Sequence, residues 1–512
     1  MNNSGLVTLR DMLFDGNQDP DHPAIVSPGY QPLTYHDLRL QVYDTVKTLC
    51  SMGFHRNDRI AVTAPSGPET AVSIISIMAG FTSLPLNPQN KAQEFDTYFS
   101  KFKINGMVVQ KNLNTAARSA AATRDIPVIE LTAVSRKAGR FTLAAGLPQE
   151  PNEAVYGLPS DIATLIPTSG TTSTPKIVPY SQELLSEITH MSRDLNHLTH
   201  EDRSLHIVPY FHGLGLLSTL LAPLLAGGTV ICTRDFIPSD FIPLLKTKKP
   251  TFYWGVPALH QAILQELKKV NAEELAHNSL RFIGTVSAFM PDEVRRELET
   301  LAGAPLLESY GMTEAAFISR NVPYKRGSVG IPVIESVHIL DDNSEPVRPG
   351  KTGEIVIRGK VVISGYLDAP EENKTAFRNG WFYTGDMGYI DEKGYLFITG
   401  RKKELINKGG EKISPAEIDA VLRSHPGVKD AMSFQVADPL LGEDIEAMVV
   451  PADLRVSEEE LRRFLLDRLV QSKVPRRIWF VDEIPKNSTG KPLRSVGTKR
   501  YGRLPQVQNP DR

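Results

Sequence analysis

The first 320 residues alternate helix-like and strand-like segments, and this alternation constrains the fold more than any other feature. Leu38 to Met52 has the spacing of an amphipathic helix, and Glu69 to Ala79 is a second helical segment. Short segments typical of strands are Arg59 to Val62, Ile104 to Val109, Gly228 to Cys232 and Leu280 to Val286. Because strands that alternate with helices pair mostly in parallel, the sequence predicts an α/β fold with a doubly wound sheet.

The pattern changes after about Gly330. Short strand-like segments separated by Gly, Asp and Pro then predict a small antiparallel β unit. They are Val337 to Leu340, Glu354 to Arg358, Gly388 to Ile390 and Tyr395 to Thr399. The last stretch of about 110 residues is mixed again, and Ser414-Pro415-Ala416-Glu417 has the residues of a helix start, with Ser as N-cap and Pro at the first helical position.

Composition and charge exclude several classes of protein. The chain has 57 Lys and Arg against 59 Asp and Glu, so it lacks the basic excess of a nucleic-acid-binding protein. Two cysteines, Cys50 and Cys232, are too few for a disulfide framework and show no zinc spacing. The N-terminal residues lack the basic and apolar regions of a secretory signal. We therefore expect a protein of the cytoplasm, where thiols stay reduced.

One apolar segment raises the question of a membrane span. Gly213 to Cys232 is uncharged and about long enough to cross a bilayer. However, Pro223 and the pair Gly227-Gly228 interrupt it, and no cluster of Lys or Arg flanks it. We expect a buried helix, a turn and a strand here, and no membrane span.

The segment Thr168 to Lys176 is rich in Thr, Ser and Gly and follows a probable strand, Ala163 to Ile166. Such a loop offers hydroxyl groups, backbone N–H groups and one cation, which together suit a polyphosphate. A solvated Ser/Thr turn would have the same composition. The segment is not a Walker A loop, because Lys176 is not preceded by Gly and is followed by Ile177.

A second segment, Tyr310-Gly311-Met312-Thr313-Glu314, follows the strand-like Ala304 to Glu308. A Glu beside a Thr can hold Mg²⁺ on phosphates, since Mg²⁺ prefers hard oxygen ligands. Tyr310 could stack on a purine ring. Taken alone, the pentapeptide could equally be an ordinary loop.

Three further segments lie in the last third of the chain. Asp386, in the segment Trp381 to Asp386, could accept the hydroxyls of a ribose, with Arg401 nearby; a turn residue and a surface ion pair are the alternatives. The paired glycines of Lys408 to Ile413 are typical of a tight turn. Lys491, in Pro485 to Arg494, could reach a distant charge, or could belong to an exposed basic tail.

These five segments, in this order and at these separations, resemble the adenylate-forming superfamily. That superfamily includes acyl-CoA synthetases, firefly-type luciferases and the adenylation domains of nonribosomal peptide synthetases. The resemblance extends from Leu33-Thr34-Tyr35 to Arg494, and is strongest to small-acid CoA ligases of the oxalyl- and coumaroyl-CoA synthetase kind. It implies a large N-terminal domain over 1–400, with doubly wound sheets and a small β-barrel at about 330–400, and a small mobile α+β domain over 401–512.

The resemblance implies ATP-dependent activation of a small carboxylic acid through an acyl adenylate, with release of pyrophosphate, and then thioester formation with CoA. ATP, Mg²⁺ and CoA are the expected cofactors. A stand-alone ligase that loads the phosphopantetheine of a carrier protein is the main alternative. An oxygenase of the luciferase type and a non-catalytic nucleotide-binding protein remain open, whereas the missing Walker spacing disfavours a P-loop kinase.

The resemblance also implies roles for individual residues. Thr313 would contact the α-phosphate, Glu314 would hold Mg²⁺, and Lys491 would contact both the α-phosphate and the acid. Asp386 and Arg401 would bind the ribose hydroxyls, and Tyr310 would stack on adenine. The residues expected to wrap the β- and γ-phosphates are Thr168, Ser169, Gly170, Thr171, Thr172 and Lys176. Further nucleotide contacts are expected at Ser287, Ala288, Glu308, Ser309, Gly311 and Met312.

For the second step, the resemblance implies that the C-terminal domain rotates about Lys403, two positions after Arg401. The rotation would withdraw Lys491 and bring in the loop of Gly409 and Gly410, where the absence of side chains leaves room for a pantetheine arm. One site would then serve two steps in turn.

The acid would be held near His212, which the resemblance identifies as a catalytic residue and a gate; a partly buried histidine with satisfied hydrogen bonds is the alternative. Amino-acid-activating relatives have an Asp there, so an α-amino acid is disfavoured. The residues expected to line the rest of the pocket are Tyr253, Val256, Gly284, Val286 and Phe317. Their lack of a cation disfavours a dicarboxylate such as oxalate, and an apolar pocket favours an aromatic or short-to-medium aliphatic monocarboxylate. Ile177 stands where many relatives have Gly, and we expect it to affect the packing of the loop and the reaction rate more than the type of reaction.

Overall fold

The computed structural model describes residues 7–134, 136–168, 175–275, 278–287, 290–452, 456–486 and 491–501. Its helices are α1 Leu9–Phe14, α2 Tyr35–Ser51, α3 Pro68–Gly80, α4 Ala92–Phe102, α5 Ala116–Ala122, α6 Gln182–Leu195, α7 Ala222–Leu225, α8 Phe241–Lys248, α9 Pro257–Leu267, α10 Ala272–Leu275, α11 Asp292–Ala302, α12 Pro370–Ala376, α13 Pro415–Arg423, α14 Glu458–Leu466 and α15 Arg494–Tyr501.

The strands before residue 330 are β1 Pro23–Val26, β2 Leu33–Thr34, β3 Arg59–Thr63, β4 Thr82–Pro85, β5 Gly106–Gln110, β6 Val128–Ala133, β7 Phe141–Ala144, β8 Ile162–Thr168, β9 Lys176–Ser181, β10 Arg203–His206, β11 Thr229–Cys232, β12 Phe252–Gly255, β13 Phe282–Thr285, β14 Leu306–Met312 and β15 Ala315–Arg320. The later strands are β16 Ile331–Pro332, β17 Ser336–Leu340, β18 Gly353–Arg358, β19 Phe377–Arg378, β20 Trp381–Ile390, β21 Leu396–Arg401, β22 Ile406–Lys408, β23 Glu411–Ile413, β24 Val428–Asp438, β25 Gly442–Pro451 and β26 Arg477–Phe480.

The chain divides into two units. The first comprises 1–322, 333–335 and 358–380, and the second comprises 323–332, 336–357 and 381–512. Most of the β-rich region predicted at about 330–400 thus belongs to the second unit, while 358–380 belongs to the first. The predicted division into domains over 1–400 and 401–512 stays a prediction.

Two mostly parallel sheets form the first unit. One has the order β15-β14-β13-β12-β10-β11-β1-β2, and the other has the order β7-β6-β5-β3-β4-β8-β9. Neighbours in each sheet pair in parallel except at the edges, where β14–β15, β1–β2, β6–β7 and β8–β9 are antiparallel. The predicted α/β fold with doubly wound sheets is confirmed.

The segment that raised the membrane question folds as expected. Residues 214–221 form a π-helix that continues into α7, and a turn then leads to β11. Every residue from Gly215 to Leu225 is buried. Within the described residues, no helix is long and apolar enough to cross a membrane.

The second unit contains two more sheets. The β-rich region forms an antiparallel sheet in which β17, β18, β20 and β21 are successive neighbours. The other sheet has the order β23-β22-β25-β24, with β26 parallel to β25. Helix α13 begins at Pro415 as predicted, although the Ser414 hydroxyl makes no capping hydrogen bond and Glu417 pairs with Lys473 instead.

Candidate active site

The loop predicted to bind phosphates joins two antiparallel strands. Thr168 at the end of β8 lies opposite Lys176 at the start of β9. Ile177, at the position where many relatives have Gly, faces the apolar core of its sheet and is fully buried. Its side chain therefore contributes to the packing of the core. Ser169, Gly170, Thr171 and Thr172 lie outside the described residues. The Lys176 ammonium lies over the ring of Tyr366, with Nζ 4.2 Å from the ring centroid.

The segment from Tyr310 to Glu314 is not a plain loop, because β14 extends through Met312. Met312 pairs with Ala315 in a tight hairpin, which puts Thr313 and Glu314 at the turn. Strand pairing therefore fixes both backbones. A Cβ at Gly311 would lie 2.1 Å from the carbonyl oxygen of Ala316, so only glycine fits this close approach.

Glu314 is 9% exposed and one of its oxygens is already engaged. The Tyr366 hydroxyl donates a hydrogen bond of 2.6 Å to Glu314 Oε1. The hydroxyl of Tyr180 donates to the carbonyl oxygen of the neighbouring Thr313 at 2.5 Å. The predicted metal-binding carboxylate is thus held in a fixed orientation by a tyrosine that the sequence analysis missed.

A Mg²⁺ site at Glu314 fits the donor set. The Oε1 atom accepts from Tyr366, and the second carboxylate oxygen is an oxygen ligand of the kind that Mg²⁺ prefers. Among the described residues, no group of three or more His, Cys, Asp or Glu side chains could hold a metal by itself. One carboxylate completed by substrate phosphates and water is the usual arrangement for Mg²⁺ on a nucleotide.

The other predicted nucleotide residues of this unit differ in exposure. Burial raises the pKa of Glu308, whose Oε2 accepts a 2.9 Å hydrogen bond from the Asn321 amide. Ser309 and Tyr310 are 8% and 9% exposed. Ser287 is exposed and has a φ of +78°, a strained conformation of the kind that clusters at functional sites. Ala288 lies outside the described residues.

His212 lies at the start of the π-helix. It is partly buried, and burial lowers its pKa to about 4, so its imidazole is neutral at pH 7. Its ring centroid lies 4.7 Å from that of Phe211. A Cβ at Gly215 would lie 2.3 Å from the carbonyl oxygen of Pro209, so glycine lets the preceding turn pack against the helix. Such π-helical turns are frequent at functional sites.

The pocket predicted beside His212 needs a correction at Tyr253. Tyr253 is fully buried on the helix-packed side of its sheet, where its hydroxyl lies 3.3 Å from His260 Nδ1. Neighbouring residues of a strand face opposite sides, so Trp254 faces the other side. Trp254 pairs with Gly284, and a Cβ there would lie 2.1 Å from its Cδ2. The aromatic residue next to Gly284 is therefore Trp254.

The other predicted pocket residues are apolar and partly or fully buried. Val256 and Val286 are partly buried, and Phe317 is 3% exposed. Trp254 Nε1 is buried and has no hydrogen-bond partner among the described residues. Arg320 lies on β15, the strand that carries Phe317. Its guanidinium donates to the carbonyl oxygen of Leu195 and to the side-chain oxygen of Asn196.

In the second unit, the two predicted ribose residues contact each other. Asp386 on β20 lies opposite Arg401 on β21, and Arg401 Nε is 2.7 Å from Asp386 Oδ1. Asp386 is 4% exposed, and its N–H donates to the Thr384 hydroxyl at 3.0 Å. Strand pairing thus explains why residues 15 positions apart in sequence form one charged pair.

Lys491 lies near the same group of charges. Its Nζ is 3.5 Å from Glu404 Oε1, and its pKa is lowered because burial and the neighbouring Arg401 disfavour the ammonium, while Glu404 and Asp386 oppose this. Burial also disfavours ionised Glu404, but Lys491 and Arg494 more than offset it and lower its pKa.

Arg494 anchors the segment that carries Lys491. Its guanidinium contacts Glu404 Oε2 at 3.0 Å, Asp419 Oδ2 at 2.7 Å and the carbonyl oxygen of Ser433 at 2.6 Å. A side chain only 16% exposed does not fit an exposed basic tail. Arg494 lies inside a segment selected from the sequence, but its pairing with Glu404 links positions 90 residues apart.

Gly409 and Gly410 form the turn between β22 and β23, with φ values of +60° and +96°. Left-handed conformations at both turn positions account for two glycines. The Gly409 N–H donates to the carbonyl oxygen of Leu441 at 2.9 Å. Lys403 is exposed in a 3₁₀ turn beside Lys402, whose Nζ lies 2.7 Å from Glu354 Oε2. A pantetheine contact and a hinge remain predictions for these residues.

Comparison with known proteins gives two matches to family models. Residues 15–367 match the model described as AMP-binding enzyme, and residues 417–491 match that of the AMP-binding enzyme C-terminal domain. The chain is 37% identical to a probable CoA ligase, CCL9, of Humulus lupulus, with 94% of each chain covered. It is 36% identical to an oxalate–CoA ligase of Arabidopsis thaliana, with 94% of this chain and 96% of the relative covered.

Two solved structures extend the comparison to the fold. ATP-bound MatB from Rhodopseudomonas palustris superposes with a TM-score of 0.87 at 28% identity, covering 97% of this chain and 99% of that one. An o-succinylbenzoate CoA synthetase from Bacillus subtilis, in complex with ATP and magnesium ion, gives 0.82 at 25% identity and covers 95% of this chain and 98% of that one.

Proposed function

Since the chain belongs to the AMP-binding enzyme family, we propose that Glu314 and Lys491 supply two separate charge-neutralising contacts for its adenylation step. The chain is an acid–thiol ligase that uses ATP, Mg²⁺ and CoA. In the first step a carboxylate oxygen attacks the α-phosphorus of ATP, and the bond to pyrophosphate breaks. In the second step the CoA thiol attacks the acyl carbon, AMP leaves, and the thiol proton is released to solvent.

Attack of one anion on another needs neutralisation of charge more than it needs a side-chain nucleophile. Lys491 suits this role, because its ammonium lies in a partly buried place, with Nζ 3.5 Å from Glu404 Oε1. Glu314 suits the metal role, because its buried carboxylate keeps a fixed orientation. Mg²⁺ bound there would withdraw negative charge from the phosphates.

The acid that we propose is an uncharged-tail monocarboxylate, either aromatic or short-to-medium aliphatic. Support comes from Trp254, Val286 and Phe317, which are apolar, and from His212, which is neutral at pH 7. No cation occurs among them to pair with a second carboxylate. Trp254 replaces Tyr253 in this proposal, because Tyr253 lies on the core side of the sheet.

Oxalate is the second candidate. One observation favours it: a relative named as an oxalate–CoA ligase is 36% identical over 94% of this chain. Oxalate carries two negative charges on four oxygens, so its binding would require hydrogen-bond donors beyond the apolar residues of the proposed pocket.

A panel of carboxylic acids scored by pyrophosphate release tests the assignment. We expect release that depends on Mg²⁺ and is strongest with a monocarboxylate such as a cinnamate or a medium-length fatty acid. Release with oxalate alone would replace the first candidate by the second. An absence of release with every acid, from a preparation that is folded by circular dichroism, would contradict ligase activity.

The acceptor can be tested in the same assay. CoA is the acceptor of the reaction. Loading of a carrier protein is the alternative that we test, and the exposed Gly409-Gly410 turn is the observation that supports it. We expect acyl-CoA to form at least tenfold faster than an acylated phosphopantetheinyl carrier at equal thiol concentration. The reverse order would favour the carrier. We further propose the cytoplasm as the location, since Cys50 and Cys232 are both free thiols.

A further inference from the structure

Tyr366 lies where two parts of the nucleotide site meet within the first unit, and no assigned role covers it. It is 6% exposed, and its hydroxyl donates to Glu314 Oε1 at 2.6 Å. The face of its ring carries the ammonium of Lys176, at 4.2 Å from the centroid. One side chain thus contacts both the predicted metal ligand and the predicted phosphate-binding cation.

The backbone around Tyr366 connects the same two places. The N–H of Ile363 donates to the carbonyl oxygen of Glu314 at 3.0 Å, and the N–H of Leu367 donates to that of Ile177 at 3.0 Å. The segment from Ile363 to Leu367 therefore joins the Glu314 hairpin to the strand that starts at Lys176.

Tyr366 is also held in place by residues other than Glu314 and Lys176. The Asn373 side chain accepts from the Tyr366 N–H at 2.7 Å and donates to the Tyr366 carbonyl oxygen at 2.8 Å. The ring of Phe377 meets the Tyr366 ring edge-on, with centroids 5.9 Å apart. A side chain held by its backbone and by its ring can orient other groups without being displaced by them.

We propose that Tyr366 is a positioning residue that holds the metal-binding carboxylate of Glu314 and the phosphate-binding ammonium of Lys176 at a fixed separation. The proposal rests on the proposed metal role of Glu314. The hydroxyl hydrogen bond fills one oxygen of the carboxylate and orients the other for Mg²⁺. The ring face stabilises the Lys176 ammonium by a cation–π contact.

The two contacts can be separated by substitution. Tyr366→Phe removes the hydroxyl and keeps the ring, whereas Tyr366→Leu removes both. Tyr35→Phe is the matched control, because Tyr35 is fully buried and its hydroxyl donates to the carbonyl oxygen of Gly228 at 2.7 Å, with that of Leu224 at 3.0 Å. It loses a comparable buried hydroxyl without touching Glu314 or Lys176.

Calorimetric binding gives a measurement that does not depend on turnover. The probes are α,β-methylene ATP, titrated at several Mg²⁺ concentrations, and AMP without metal. For Tyr366→Phe we expect the Mg²⁺ concentration at half-saturation to rise about tenfold, the effect of losing a group that orients a metal ligand. AMP affinity should stay within about twofold of wild type. Tyr366→Leu should lose about a further threefold for the ATP analogue at saturating Mg²⁺, because Lys176 loses the ring.

A double-mutant cycle with Glu314→Gln guards against a general loss of structure. If Tyr366 acts through Glu314, Tyr366→Phe should change the Mg²⁺ dependence of the wild type but not that of the Glu314→Gln variant. Unchanged Mg²⁺ dependence in Tyr366→Phe, independent effects in the cycle, or an equal loss of AMP and ATP-analogue binding would each overturn the proposal. A wild-type protein that binds no ATP analogue would instead contradict the proposed function.

Discussion

The two units hold their candidate functional residues by different kinds of contact. In the first, Glu314 and Lys176 are held by Tyr366 through a hydrogen bond from a neutral hydroxyl and through a ring face. In the second, Lys491 is held by ion pairs among charged neighbours, with Glu404 at the centre. Neutral donors orient a charge and leave it available for a ligand, whereas ion pairs can exchange one charged partner for another. We therefore expect Glu314, the proposed metal ligand of the first unit, to keep its orientation, and Lys491 of the second unit to be able to exchange its partners.

The largest effect that we expect concerns Arg494. The substitution Arg494→Met removes the partner at 2.7 Å from the fully buried Asp419, and leaves Arg423 at 3.4 Å as a poorer one. A buried carboxylate left with this poorer charged partner should lower the free energy of unfolding by about 3 kcal/mol or more, the cost of breaking a buried ion pair. Urea denaturation measures it. Arg463→Met, which breaks a pair with side chains 74% and 85% exposed, is the control and should cost under about 0.5 kcal/mol. Equal effects would mean that the ion pairs of the second unit do not hold its structure.

The next effect distinguishes the units by acid sensitivity. Burial lowers the pKa of His206 to about 3 and that of His260 to about 4. Both are neutral when folded, while the unfolded chain takes up protons below about pH 6.5, so stability is lost as pH falls from about 6.5 towards 4. Each histidine should contribute about 2–3 kcal/mol over that range. In the second unit, the lowered pKa of Glu404 affects stability only below the ordinary glutamate pKa of 4.5.

Hydrogen exchange, corrected for intrinsic rates, measures this difference segment by segment. We expect β10 and β12 to lose protection between about pH 6.5 and 5, and β24 and β25 to keep it until lower pH. His260→Gln should flatten the response of the first unit, whereas the same change at the exposed His200 should not. Loss of protection in both units at the same pH would contradict the assignment.

The smallest effect concerns Glu404. Its pKa is lowered in the folded state, so its contribution is present above about pH 4.5 and is lost as pH falls through the lower folded pKa. Glu404→Gln should cost about 1 kcal/mol at pH 7 and should reduce the slope of stability against pH below about 4.5. Glu459→Gln is the control, because that side chain is 85% exposed. An unchanged slope in Glu404→Gln would show that the ion pairs of Glu404 with Lys491 and Arg494 do not contribute to the stability of the fold.

Much of the fold followed from the sequence, because strand–helix alternation and helix-starting residues are local signals. Helix α3 and strand β3 lie within a residue or two of their predicted ranges. The face of a strand was not a local signal: the run Phe252–Gly255 is apolar throughout, so nothing distinguished Tyr253 in the core from Trp254 beside Gly284. Only the helices packed on the sheet decide this.

The contacts of the candidate site were also beyond local pattern. Tyr366 lies 52 positions from Glu314, and Arg494 lies 90 from Glu404. The five segments were chosen for residues expected to contact the nucleotide or the acid, so they passed over Tyr366, for which we propose an orienting role. The sequence does show Gly365-Tyr366 followed by Asn373, whose side chain binds the Tyr366 backbone. This pattern indicates an orienting tyrosine only once the segment from Ile363 to Leu367 is known to join the Glu314 hairpin to β9.

The most direct test of the central claim separates the two steps in Lys491→Ala. We expect acid-dependent pyrophosphate release to fall about 10²–10³-fold, while thioester formation from supplied acyl-AMP and CoA stays within about threefold of wild type. Lys486→Ala is the matched control, since that lysine lies in the same segment and pairs with Asp430 at 2.6 Å. Equal loss of both steps, or full adenylation without Lys491, would contradict the account.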